Sequence, residues 1–211
     1  MEDNVLPLLT DDTKVMHDHN TVNYNPAFHF RNLECDQHLE RDGQKNADDT
    51  GHQWNLELKE HIASAIHDRN LAEQAGKARF DADYIVAFNT GLDKILQHGW
   101  QEYEADKVRL EKYGASFERA LLNKIEKYQG NYFAWLEDFS LPTSNNLSER
   151  SLRPVKSKMK IAGQSESEDA ARNYAMIRSY IETCRRKGKN ENEALRRLCE
   201  GNPYSVKELF S

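Results

Sequence analysis

Three apolar stripes at helical spacing set what this chain can fold into. Trp54, Leu58, Ile62 and Ile66 recur every fourth residue, and Tyr84, Phe88 and Leu92 repeat the interval before running on to Ile95 and Leu96. Phe117, Leu121, Leu122, Ile125 and Tyr128 make the third stripe, which leads to Gly130. Side chains three and four positions apart share one face of an α-helix, so each stripe predicts an amphipathic helix that must bury that face. A short aromatic segment, residues 132–136, follows and stops before Pro142. Strand signals are confined to the first stretch, at residues 14–18 and 28–35, with Asn and Pro turn residues between them. Residues 41–51 are polar and read as a loop. Two short strands are marginal alone, so their partners are expected outside this chain.

The last third is the best punctuated. Glu166, Glu168 and Asp169 precede an apolar face of Ala171, Tyr174, Ile177, Ile181 and Cys184, and Arg185, Arg186 and Lys187 follow it. Acids at the start and bases at the end suit the helix macrodipole, and Gly188 supplies a C-terminal stop. Asn190 with Glu193 reads as a capping box for a further helix, closed by Gly201 and Pro203. Both helices read as structural.

Charge narrows the classes of function. The 211 residues carry a net charge of -6, which argues against a protein that coats nucleic acid over its whole surface. A local patch exists, because Arg150, Arg153, Lys156, Lys158 and Lys160 follow one another with no acid between them. The mean hydropathy of -0.88 and the lack of any apolar run near 20 residues exclude a membrane-spanning helix. The start, Met1 to Asn4, lacks the basic region of a secretory signal, and three cysteines with no framework spacing suit a reducing compartment. A cytoplasmic protein is the expectation.

The segment with most chemistry in it runs from Leu141 to Pro154. Asn146 and Glu149 have the spacing of a capping box, and that reading stands beside a functional one. Asn145, Glu149 and Arg153 fall on one helical face, so an acid is set among bases, an arrangement suited to metal and phosphate chemistry. Pro154 lacks the N–H that would bond Arg150 and is expected to kink or end the helix.

This segment, with Pro142, Thr143, Asn145, Asn146, Glu149, Arg150, Leu152, Arg153 and Pro154 in order and a lysine tail to Gly163, resembles the C-terminal block of insertion-sequence family sixty-six transposases. Met16-His17-Asp18-His19 with Tyr24 downstream, the pair Cys35 and His38, the run from Ile177 to Cys184, and the ending Leu198 to Pro203 resemble the same family. The resemblance implies an α+β chain, mostly α: an incomplete ribonuclease-H-like core with two short strands retained and a large helical insertion. Residues 1–44 would hold part of that core, 45–143 the insertion, and 144–211 the core helices with the catalytic Glu and the basic cluster. It further implies a bacterial DDE transposase in which Asp18 is the second catalytic acid and Glu149 the third. These two would bind a pair of Mg²⁺ or Mn²⁺ ions for phosphodiester hydrolysis and strand transfer. Asn145, Asn146, Arg150, Arg153, Lys156, Lys158 and Lys160 would contact DNA, at transposon ends and target, and self-association and nucleoid association would follow. The first Asp is expected upstream, since Asp3, Asp11 and Asp12 sit too close to Asp18, so the chain alone is expected to be inactive. The alternative is a non-catalytic remnant or a helical DNA-binding or interaction module.

His17, His19, Cys35 and His38 leave two readings open. One C-x-x-H pair is half of a zinc site, and packing beside the active site is the other reading. Trp54, Trp100 and Trp135 are expected in the core rather than as platforms for stacking bases.

Overall fold

A computed structural model of the protein describes residues 9–110, 112–163 and 167–210, with the side chains of 112, 113 and 162 left aside. Two strands, β1 (Lys14–His17) and β2 (Arg31–Glu34), are followed by helices α1 (Asp36–Thr50), α2 (Trp54–Gln74), α3 (Ala82–Asp106), α4 (Lys112–Tyr132), α5 (Asn146–Ala162), α6 (Glu168–Arg186), α7 (Glu191–Cys199) and α8 (Val206–Phe210). The chain is therefore α+β and mostly helical. It forms two compact units, Met1–Asn145 and Asn146–Ser211. Among the described residues no helix is long and apolar enough to cross a membrane.

In the first unit β1 and β2 pair in parallel, with Lys14 opposite Arg31 and His17 opposite Glu34. Parallel pairing needs a crossover, supplied here by residues 18–30 with a 3-10 turn at Thr21–Tyr24. The three stripes become α2, α3 and α4, and their apolar residues form one core. Trp54, Ile62, Leu92, Leu122 and Ile125 are fully buried in it. The aromatic segment closes that core through Phe133, Trp135, Leu136 and Phe139. Trp54 and Trp135 are core residues, while Trp100 is half-buried and donates to Glu126.

The loop expected at residues 41–51 is not a loop. It is most of α1, ending on Gly51 in the left-handed conformation (φ 78), and residue 44 lies inside it. Its polar side chains conceal the helix because they make tertiary bonds. Asp42 pairs with Lys124 at 2.6 Å, and buried Asn46 donates to Asn55 and to Glu118. Glu118 of α4 is completely buried, and its Oε1 accepts from Asn46, from His52 Nδ1 at 2.7 Å and from Trp54 Nε1 at 2.8 Å.

The second unit has its own small core of Ile181, Cys184, Ala194 and Leu209, with Tyr180 and Tyr204 packed against it. Ser167 caps α6, and Asn190 caps α7 through the N–H groups of Asn192 and Glu193. Half of the expected capping box is made, because the Glu193 carboxylate turns to Arg196 instead of back to the cap. Gly188 and Gly201 take the left-handed conformation after their helices, as the spacing predicts. Of the apolar face expected on α6, Ile181 and Cys184 are buried, whereas Ile177 is exposed. Glu166 lies outside the described residues.

Two predictions follow from the first unit's core. A Cβ at Gly99 of α3 would stand 2.7 Å from Leu122 Cδ2 and 2.9 Å from Trp54 Cδ2, both on fully buried side chains. Gly99→Ala is expected to cost about 1–3 kcal/mol in denaturant unfolding through overpacking, despite alanine's better helix propensity. An unchanged midpoint would show that the helices do not approach this closely. Burial alone would lower the pKa of His52, but its bonds to Glu118 and Asp106 raise it above the ordinary histidine value. A raised folded pKa means that this contribution is complete below about 6.5 and fades as pH rises through the folded value. The wild type should lose more stability than His52→Gln between pH 6 and pH 8; parallel losses would rule the pair out as a source.

Candidate active site

Asp18 follows β1 directly, and its side chain is exposed with no hydrogen bond or ion pair among the described residues. Both its neighbours are held. His17 is buried and its Nε2 meets Asn32 Oδ1 at 2.8 Å, so the adjacent strand grips it. His19 adopts φ 56, which non-glycine residues rarely do, and its Nδ1 lies 2.8 Å from Glu34 Oε1. A carboxylate oxygen can only accept, so that nitrogen carries the proton. Backbone in this conformation persists only where its surroundings over-determine it.

Glu34 supplies that determination. At 1% exposure it is a buried carboxylate, and Oε1 also accepts from the Tyr24 hydroxyl at 2.5 Å. Burial, and then the bond to Glu34, push the Tyr24 hydroxyl pKa well up, so it remains a donor. The rings of His19 and Tyr24 pack on Tyr128, at 4.9 and 4.6 Å. Tyr128 is where α4 departs from helical geometry (φ -117, ψ 16). Three residues on, Asn131 donates to the carbonyl of Asn32 at 2.7 Å. The crossover carrying Asp18 is thus clamped from β2 and from α4. Local pattern does not single out Glu34, since an acid in a short strand reads as solvent-facing until the fold buries it.

The corner after β2 holds the chain segment that leads to α5. The Asp36 N–H donates to Thr143 O at 3.0 Å, and the Asn145 N–H reaches Cys35 Sγ at 3.4 Å. Asp36 is buried, its carboxyl pKa pushed up by that burial although Trp135 Nε1 donates to it at 2.8 Å. Asn145 Oδ1 is buried without a partner in this first unit, so it does not cap the helix that follows. Cys35, His17 and His19 are engaged in these contacts, which places them in packing beside the strand ends. Among the described residues no group of three or more His, Cys, Asp or Glu side chains is arranged to hold a metal ion.

In the second unit α5 begins at Asn146, with Glu149 half-buried in its first turn. Because the helix starts after Asn145, the box spacing from Asn146 to Glu149 falls inside the helix rather than across its cap. The helix also runs through Pro154 to Ala162, so of the two outcomes expected at that residue it does not end there. The carbonyl of exposed Arg150 loses its intrahelical partner there, where solvent can replace it.

Helix geometry sorts the bases that sequence order lumps together. At about 100° per residue, Glu149, Arg153, Lys156 and Lys160 fall within about 60° of one another. Arg153, Lys156 and Lys160 are exposed along that stripe. Arg150 lies to one side, and Lys158 points the opposite way, its ammonium 4.0 Å from the centre of the Tyr174 ring of α6. The stripe's cations make no ion pair among the described residues. By contrast Arg185 and Arg186 hold Glu182, Arg196 holds Glu193 and Glu200, and Arg197 holds Glu208. A cation already paired with a carboxylate has little charge left for another anion, and those of the α5 stripe are not so paired among the described residues.

Asp18 lies in the first unit and Glu149 in the second; Asn145, fastened at Cys35, precedes Glu149 by four residues. The exposed Asp18 carboxylate suits a hard cation, which prefers oxygen ligands.

Glu34→Ala removes the acceptor of both Tyr24 and His19 and should cost about 1–3 kcal/mol, with Glu34→Gln costing less because it keeps an acceptor. Equal denaturant midpoints for Glu34→Ala and the wild type would contradict the clamp.

Comparison with known proteins adds one match. The family model described as "Transposase IS66 family" matches residues 8–173, a span that contains Asp18, all of α5 and the start of α6. No curated protein and no solved structure matches.

Proposed function

This chain belongs to the IS66 transposase family, and from that premise we propose that it serves DNA transposition by metal-dependent cleavage and joining of phosphodiesters. The observation that carries the reading is the α5 stripe, where unpaired Arg153, Lys156 and Lys160 flank Glu149 within the matched span. On this reading β1 and β2 belong to a ribonuclease-H-like core, and the helices from residue 45 to 143 are inserted between its second and third acids. Asp18 and Glu149 would hold Mg²⁺ or Mn²⁺, with a further carboxylate not assigned among these residues. When bound, such ions lower the pKa of water or of a 3′-hydroxyl and offset charge on the leaving oxygen.

The chain's own residues then have distinct tasks. Arg153, Lys156 and Lys160 bind successive phosphates and set the strand's position without reading its sequence. Arg150 and the side-chain amide N–H groups of Asn145 and Asn146 extend the same contact as donors. Lys158, with its ammonium over the Tyr174 ring, would brace α5 against α6 as well as stand near the strand. Glu34, through His19 and Tyr24, holds the turn that presents Asp18.

A second reading, a DNA-binding module without catalysis, is favoured by the α5 stripe itself, whose unpaired cations need no metal to hold a phosphate. Plasmid nicking in Mg²⁺ or Mn²⁺ by a form extended upstream to supply the further carboxylate separates the two, since this chain alone is expected to be inactive. Asp18→Asn and Glu149→Gln should each reduce nicking by more than about 100-fold, since even groups behind metal ligands are worth 10–100-fold. Nicking by Glu149→Gln at the wild-type rate would remove Glu149 from the site. Salt-dependent duplex binding by the extended form with no nicking would establish the second reading instead.

A further inference from the structure

The second unit holds one more cation that its own helix does not neutralise. Arg178 of α6 is half-buried and makes no ion pair among the described residues, although acids and other arginines surround it in sequence. The nearby acid is already committed: Glu182 takes Arg185 at 2.6 Å and Arg186 at 3.1 Å, and these bonds hold its pKa below the usual carboxylate range. Arg185 also reaches Glu191 at 3.6 Å, so both arginines are balanced by carboxylates while Arg178 is left without one. Burying part of an unpaired guanidinium costs free energy that a structural role would recover through a carboxylate or carbonyl.

Arg178 lines a cleft of about 300 Å³ between α5 and α6, together with Ser151, Leu152, Val155, Ser179 and Arg186. Arg186 donates to Ser151 Oγ and ties the two helices at that point. The apolar side chains of Leu152 and Val155 suit the methylene stem of an arginine whose charged head faces outward. The cleft opens beside the helix whose exposed face carries Arg153, Lys156 and Lys160.

We propose that Arg178 is a further DNA-phosphate contact, carrying the cationic track of α5 across the cleft onto α6. The inference rests on the reading that α5 contacts DNA. It assigns to α6, which sequence pattern marks as a packing helix, a second role in holding the strand. Its planar guanidinium matches two phosphate oxygens at once, which a lysine cannot do.

Binding of a labelled DNA duplex by the whole chain, measured by anisotropy across a series of salt concentrations, tests this. Each lost phosphate contact should lower the slope of log affinity against log salt by about 0.9. Arg178→Gln is expected to lower it by that amount, and Arg178→Lys to retain the slope. Arg196→Gln, in a helix whose arginines are internally paired, should match the wild type. Arg178→Met keeps the apolar stem and should repeat the glutamine result, with circular dichroism confirming an unchanged helix content. If the Arg178 variants keep the wild-type slope while a combined Arg153, Lys156 and Lys160 variant flattens it, the Arg178 contact is refuted and the α5 reading survives. A wild type without salt-dependent binding would refute both.

Discussion

The first unit is organised around one buried carboxylate. Glu118 has 0% exposure, and one of its oxygens accepts from α1 through Asn46, from the α1–α2 corner through His52, and from α2 through Trp54. Desolvating such a group costs several kcal/mol unless donors replace the lost water. The donors come from three places in sequence, so that cost is met only when α1, α2 and α4 are all in position. Hydrophobic stripes alone would let these helices slide, because apolar contact is non-directional. The Glu118 node, with the close crossing at Gly99, selects one arrangement.

Glu34 repeats the logic at the strand end, on a smaller scale. Its buried oxygen is satisfied by Tyr24 and His19, both within the crossover, so satisfying the charge also shapes the turn that bears Asp18. The φ of 56 at His19 is a cost borne there and offset by those bonds and by the rings on Tyr128. The break in α4 at Tyr128 and the Asn131 bond to β2 belong to the same arrangement. The helical part of the unit thereby acts on the strands, holding a two-stranded sheet that would be marginal by itself.

In the second unit the deciding variable is which cations already have partners. Along α6 and α7 the arginines at 185, 186, 196 and 197 spend their charge on glutamates three or four positions away or on Glu208. Along α5 no acid follows Glu149, so Lys156 and Lys160 have no carboxylate three or four positions away. An acidic chain can therefore still present a positive stripe along one face of α5.

Much was legible in the sequence. Helical periodicity located α2, α3, α4 and α6, because a 3.6-residue repeat of apolar side chains has one geometric meaning. Gly188, Gly201 and Asn190 marked helix ends through local backbone chemistry, and the order of motifs from Met16 to Pro154 carried the family. What the sequence could not reveal lay in contacts between residues far apart in it. α1 stayed hidden because its buried face, Asp36, Leu39, Gly43, Asn46 and Thr50, is largely polar, and Asn46 finds its partner, Glu118, 72 residues away. Glu34 and Lys158 look like ordinary surface charges until tertiary packing buries one and seats the other on Tyr174. Periodicity and capping are properties of adjacent residues, and so the chain declares them directly. Whether a polar group is solvated, bonded or free for a ligand depends on what folds against it, and that was decided by the tertiary structure.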